Sequence, residues 1–188
     1  NSKKITLDYL KYLNETWNKV IENEVDSIEK AAELVAASCE KGGRFYVFGS
    51  GHSHMVAEEI YIRAGGLAFV KAILTPELML HQMPNKSTYL ERLDGYSKNI
   101  LDLYKVDEKD TLMVISNSGR NNVPVEMCIE AKNRGTKVIS MTSLSHSKNV
   151  TSRHSSGKLM FEVSDVVIDN CAPKGDAAYR IEGLDADL

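Results

Sequence analysis

The first forty residues place apolar side chains at the spacing of an amphipathic α-helix. The repeat covers residues 5–21 and returns over about 24–40. Gly42 and Gly43 interrupt the second repeat, at a position where a helix is expected to end. The pattern therefore predicts two consecutive helices ahead of any strand, placed either to cap a sheet or to pair between subunits.

Beyond residue 44 the pattern changes to short apolar runs that alternate with helical repeats. Continuous apolar runs are typical of strands buried on both faces, and they predict strands at Phe45–Phe48, Leu67–Ile73, Thr111–Ile115, Lys137–Met141 and Asp165–Ile168. Helical patterns cover 53–64, 76–82 as a short turn, 87–104 and 123–133, with Gly135 ending the last one. This alternation predicts an α/β fold, a mostly parallel sheet with helices on both faces.

Length and composition narrow the function classes. The 188 residues suit a single domain, which we divide into an N-terminal helical segment over 1–40 and an α/β core over 44–172. The net charge of -3 gives no general attraction to nucleic acid or to an anionic membrane, so neither is a predicted partner. An anionic ligand would have to be bound locally.

Cysteine usage and the N-terminus indicate a cytoplasmic protein. Cys39, Cys128 and Cys171 are far apart and odd in number, which favours neither a zinc finger nor a disulfide framework. The N-terminal residues lack the unbroken apolar stretch of a signal peptide. No run approaches the roughly 20 apolar residues of a transmembrane helix.

The first loop with candidate chemistry is Gly49–Ser53, which follows one predicted strand and precedes a helix. Glycines allow the backbone to approach a ligand closely, and free N–H groups at a helix start attract anions. The Ser50 and Ser53 hydroxyls add donors. His54 stands where a dinucleotide fingerprint has its third glycine, and the Walker A ending is absent. The alternative is a purely structural turn.

The second loop is Ser116–Asn122, again between a buried strand and a helix. Alternate serines, a glycine and asparagines offer neutral donors, which suit selective and reversible phosphate binding. The alternative is an N-capped turn, because Ser and Asn are favoured there for local reasons. Both loops follow strands of one predicted sheet, and ligands of such sheets bind beyond the carboxyl ends of the strands.

Three segments together are similar to the sugar isomerase (SIS) domain family. Residues 48–53 (FGSGHS) resemble its first phosphate loop, residues 114–119 (VISNSG) its serine-x-serine-glycine signature, and residues 75–81 (TPELMLH) a segment of its arabinose-phosphate isomerases. The resemblance spans roughly residues 30–172 and is strongest to a bacterial branch labelled phosphoheptose isomerase. It implies a three-layer sandwich around a five-stranded mostly parallel sheet, homodimers or homotetramers, and phosphorylated sugars as ligands.

The resemblance also implies the residues of a phosphate or sugar site. Asn121 would bind phosphate although the family usually has Ser or Thr at that position. The predicted binding residues, taken from both loops, are Ser50, Gly51, His52, Ser53, Ser116, Asn117, Ser118 and Asn121. No cofactor is predicted.

Aldose–ketose isomerisation requires a base and an acid near adjacent carbons. Ala57-Glu58-Glu59 resembles the Ala-Glu-Glu of phosphoheptose isomerases, whose second glutamate is catalytic, although its spacing from the serine is four residues shorter here. We therefore predict Glu59 as the base and His81, which matches the family histidine, as its assistant. The alternatives are a solvated helix carboxylate and a surface histidine.

A zinc site at His52 and His54 with Glu58 and His81 is a further alternative. Two histidines in one loop are thin support for it, and we predict no metal. Family members continue into a long helix after the last strand, whereas residues 185–188 show no helical pattern. Either a partner subunit completes the site or this chain lacks part of it.

Together these features predict a sugar-phosphate isomerase that acts by base-catalysed proton transfer. One alternative is a regulatory module that senses a sugar phosphate without turning it over. Another is a lyase (etherase) that cleaves an ether-linked amino sugar phosphate, because it needs similar carboxylates.

Overall fold

The computed structural model describes residues 2–81, 83–175, 177–185 and 187. Two long helices come first, α1 (Ser2–Asn23) and α2 (Val25–Glu40). Both coincide with the helices that the apolar repeat predicts. Gly42 follows α2 with a φ of 73°, a conformation that only glycine adopts without strain, and this turns the chain toward the sheet.

The sheet has five strands in the described chain: β1 (Phe45–Gly49), β2 (Val70–Ala72), β3 (Thr111–Ile115), β4 (Lys137–Thr142) and β5 (Val166–Asp169). Their order is β2-β1-β3-β4-β5, and every neighbouring pair is parallel. The predicted five-stranded parallel sheet is confirmed. From β1 the chain goes first to one side and then to the other, so β1 and β3 flank the crevice at which such sheets bind ligands.

The remaining helices are α3 (His54–Glu59), α4 (Pro84–Leu90), α5 (Tyr96–Tyr104), α6 (Asn122–Asn133), α7 (Leu144–Ser147) and α8 (Met160–Val163). Tight 3₁₀ turns occupy Gly51–Ser53 and Pro76–Leu78. The helices α7 and α8 have four residues each, too few to leave a periodic pattern in the sequence.

Two helix predictions are wrong in extent. The helix expected over 53–64 ends at Glu59, because the backbone of Ile62 turns to a positive φ of 49° and Gly65 follows at 78°. The helix expected over 87–104 is divided into α4 and α5. Gly95 lies at the start of α5 with a φ of 77°, which is incompatible with a continuous right-handed helix.

Helices cover both faces of the sheet. On one face, Phe48 of β1 and Val114 of β3 are fully buried against α5 and α6. On the other face, Val47 packs with Ala57 of α3, and Ile139 packs with Ala31 of α2. Neighbouring residues of one strand thus point into two different apolar layers, which explains the continuous apolar runs. The architecture is the predicted three-layer sandwich.

Helix α1 has no buried residue and exposes a row of apolar side chains. Trp17 is 62% exposed and Leu10 is 50% exposed. An apolar cavity of about 660 Å³ is lined by residues of α1, α2 and the sheet. No helix of the described chain is long and apolar enough to span a bilayer. The apolar side chains along α1 form an exposed apolar face in the described chain.

Candidate functional site

The loops after β1 and β3 line a single cavity of about 770 Å³ at the carboxyl ends of the strands. Because β1 and β3 are neighbours in register, with Gly49 opposite Ile115, their loops begin side by side. All the residues predicted to bind phosphate or sugar line this cavity: Ser50, Gly51, His52, Ser53, Ser116, Asn117, Ser118 and Asn121.

Two glycines shape these loops. A Cβ on Gly49 would lie 2.4 Å from the carbonyl oxygen of Ser53, so the first loop can fold back only over a glycine. Gly119 has a φ of 56°, and a Cβ there would lie 3.2 Å from the Cβ of Met160. The N–H of Gly119 donates to the Ser116 Oγ over 3.1 Å, which closes the second loop.

Glu91, directly after α4, connects the two loops. The Ser50 Oγ donates to Glu91 Oε2 over 2.8 Å, and the Asn121 Nδ2 donates to Glu91 Oε1 over 2.6 Å. Burial raises the pKa of Glu91, and the hydrogen bond from Ser50 opposes that rise. Glu91 is the one carboxylate among the described residues that line the cavity. The sequence does not predict this residue.

Two arginines bring positive charge to the second loop. Arg153 Nη1 donates to Asn121 Oδ1, and the Arg153 N–H donates to the Arg120 carbonyl over 2.8 Å. Burial, followed by the nearby Arg120 charge, lowers the pKa of Arg153. Within the described chain the buried Arg120 Nε has no hydrogen-bond partner. Arg120 also lines the cavity, although it is absent from the predicted set.

His146 also lines the cavity and is absent from the predicted set. It belongs to α7, whose N-cap Ser143 accepts a hydrogen bond from the His146 N–H. The His146 Nδ1 accepts from the Gly175 N–H over 3.1 Å, so the neutral ring carries its proton on Nε2. The imidazole is therefore held as a donor.

The predicted catalytic pair lies elsewhere. The Glu59 side chain is 69% exposed and forms an ion pair with Arg63, the usual environment of a solvated helix carboxylate. His81 is 60% exposed, and its Nε2 lies 3.6 Å from Glu58 Oε1. Neither Glu59 nor His81 is among the described residues that line the cavity.

His54 and Glu58 lie beside the first loop and are not among the described residues that line the cavity. His54 is only 1% exposed, and its Nδ1 lies 3.2 Å from the Gly49 carbonyl oxygen. Burial lowers the pKa of His54, which favours a neutral ring. Its Nε2 lies 3.3 Å from Glu58 Oε1. No group of three or more His, Cys, Asp or Glu side chains within the described ranges is arranged to hold a metal ion.

Comparison with known proteins agrees with the fold described above. A family model described as SIS domain matches residues 8–143. A UPF0309 protein of Halalkalibacterium halodurans is 62% identical over 174 residues, covering 93% of this chain and 72% of that protein. The solved phosphoheptose isomerase of Neisseria gonorrhoeae superposes with a TM-score of 0.68 at 19% identity, over 93% of this chain and 89% of that one.

A regulator shares the fold as well. The sugar isomerase domain of an RpiR transcription factor from Sphaerobacter thermophilus superposes with a TM-score of 0.52 at 19% identity. The match covers 98% of this chain and 79% of that chain. At such identities the likeness establishes the fold, and the function has to be argued from the site.

Proposed function

This chain belongs to the SIS domain family, and we propose that it binds a phosphorylated sugar and interconverts its aldose and ketose forms. The observation that carries the proposal is the convergence of two hydroxyl-rich loops on one polar cavity. Its volume of about 770 Å³ is within the range of small-ligand sites. The cavity also contains a carboxylate, Glu91, so an anion site and an acid–base group occur together.

The phosphate is proposed to bind at the second loop and the start of α3. The Ser118 and Ser53 hydroxyls line the cavity, and the Ser116 Oγ accepts from Gly119, which leaves its own hydroxyl hydrogen to donate. The Arg120 guanidinium lines the same cavity and adds a charged donor. Hydrogen bonds from charged groups to phosphate are about twice as strong as neutral ones.

The experiment that tests turnover is hydrogen exchange at C2. The chain is incubated in D₂O with a panel of aldose and ketose phosphates, and the C2 proton of each aldose and the C1 protons of each ketose are followed by NMR. Proton transfer through a base that exchanges with solvent predicts deuterium at C2 of an aldose or at C1 of a ketose for at least one sugar. A panel without exchange would remove the isomerase proposal.

A sensing module is the second candidate. It is favoured by the exposed positions of Glu59 and His81, which are not among the described residues that line the cavity, and by the fold shared with a regulator domain. Such a module needs the serine loops but no base. Binding of a sugar phosphate by calorimetry without any exchange at C2 would select this candidate over the isomerase.

A further inference from the structure

Glu91 is the carboxylate that the cavity itself provides. It lies between the two loops, far along the chain from the Glu59 that the sequence suggests, and both of its carboxylate oxygens are engaged. We propose that Glu91 is the general base that moves the substrate proton. The inference rests on the proposed isomerase function and names the residue that performs it.

The hydrogen bonds fix this carboxylate relative to both loops. Ser50 belongs to the first loop and Asn121 to the second, and Asn121 is itself oriented by Arg153. A base acts efficiently when it is held at a set position from an anchored substrate. The loops that anchor the phosphate also orient Glu91, so one arrangement determines both positions. Glu59, on the exposed end of α3, has no such link.

The ionisation of Glu91 suits the task. Burial raises its pKa, which brings the conjugate acid closer to the operating pH and strengthens the carboxylate as a base. The arginines Arg92 and Arg153 oppose this rise and keep the ionised form accessible. The group can therefore take up a proton and return it in one reaction cycle.

The proton transfer balances without a cofactor. In the open-chain aldose, Glu91 removes the proton from C2, the C2–H electron pair forms a C1=C2 bond, and the carbonyl pair moves to O1. The hydroxyl proton of O2 is transferred to O1, and a C2=O bond forms as C1 takes back the proton from Glu91. His146 lines the same cavity, and its Nε2 would donate to O1 and O2 while Nδ1 accepts from Gly175.

This assignment changes the roles of two predicted phosphate ligands. Ser50 and Asn121 already donate to Glu91, and a phosphate dianion placed on the same donors would lie against the carboxylate. Like charges at that distance repel strongly. Ser50 and Asn121 are therefore positioning residues for Glu91, while the phosphate is left to Ser53, Ser116 and Ser118.

The test compares Glu91→Gln with Glu33→Gln. Glutamine keeps the shape, and its amide oxygen still accepts from Asn121 while its NH₂ faces the Ser50 Oγ. Glu33 is an exposed carboxylate on α2 and serves as the matched control. We expect Glu91→Gln to lower C2 exchange by about 10²- to 10⁴-fold. Thermal shifts with the same sugar phosphates should persist, and Glu33→Gln should behave as wild type.

The pH profile and Glu59→Gln complete the experiment. Wild-type exchange should fall at acidic pH as Glu91 is protonated, and Glu91→Gln should lose this acidic limb. If the Glu91→Gln variant exchanges at the wild-type rate and the Glu59→Gln variant does not exchange, the inference is overturned. The proposed isomerase function would then still hold. Absence of exchange in the wild type would remove the isomerase and this assignment together.

Discussion

Asn121 donates a hydrogen bond to Glu91 over 2.6 Å and thereby joins the loop after β3 to the end of α4. Asn121 is buried and accepts from Arg153 at its other amide atom. One amide thus connects a carboxylate with a guanidinium. A Ser or Thr side chain at this position would not offer the same separate donor and acceptor.

Replacing Asn121 by Ala should therefore destabilise the chain. The change leaves a partly buried carboxylate oxygen without its donor, at a cost of about 1–3 kcal/mol in the free energy of unfolding. Urea denaturation measures the loss. Asn85→Ala, at an exposed position on α4, is the control and should stay within about 0.5 kcal/mol of wild type. Equal stability of the two variants would contradict the proposed role of the bond.

The stability of the fold should depend on pH through Glu91. Its folded-state pKa is above the ordinary value of 4.5, so the folded chain binds more protons than the unfolded chain between the two values. The contribution of Glu91 to the free energy of unfolding is fully present below its ordinary pKa. It is lost as pH rises through the folded-state pKa. Glu91→Gln removes this dependence.

Urea titrations of wild type and Glu91→Gln between about pH 4 and about pH 7 measure the effect, because the other groups cancel in the difference. Glu91→Gln should gain stability relative to wild type as pH rises. A difference that is constant across this window would show that Glu91 titrates alike in the folded and unfolded chain.

The first loop should tolerate a side chain at Gly51 better than at Gly49. A Cβ on Gly51 would lie 4.0 Å from its nearest neighbour, the Ser87 Oγ. Gly51→Ala should therefore introduce only the backbone strain of a φ of 57°, about 1–2 kcal/mol. Gly49→Ala forces a Cβ onto the backbone of Ser53 and should cost more. Thermal unfolding ranks the two, and a reversed order would refute the loop geometry.

Much of this architecture follows from local sequence signals, and part of it does not. Strands β1 and β3 are continuous apolar runs, and the glycines and serines after them mark the two loops. Glu91 looks like any exposed helix carboxylate, since its partners lie 41 and 30 residues away. The positive φ of Ile62 is not predictable from its residue type, because β-branched residues rarely adopt one. Long-range contacts place Glu91 in the cavity, and local sequence patterns do not encode them.

The apolar face of α1 should be covered in solution by a second copy of the chain. Light scattering should therefore give a homodimer or homotetramer. Leu10→Lys combined with Trp17→Lys places charges on the exposed apolar row and should lower the measured mass. Asn18→Lys adds a charge at an exposed polar position of the same helix and should leave the mass unchanged. A monomeric wild type would contradict the prediction.

The most direct test of the phosphate site is a thermal-shift screen with sugar phosphates and the matching unphosphorylated sugars. A ligand at 100 times its dissociation constant should stabilise the fold by about 2.7 kcal/mol. We predict shifts with phosphorylated sugars alone, and a roughly tenfold weaker affinity in Ser118→Ala, with Ser27→Ala on α2 as the control. Equal shifts with unphosphorylated sugars, or no shift with any phosphate, would contradict the assignment of the two serine loops.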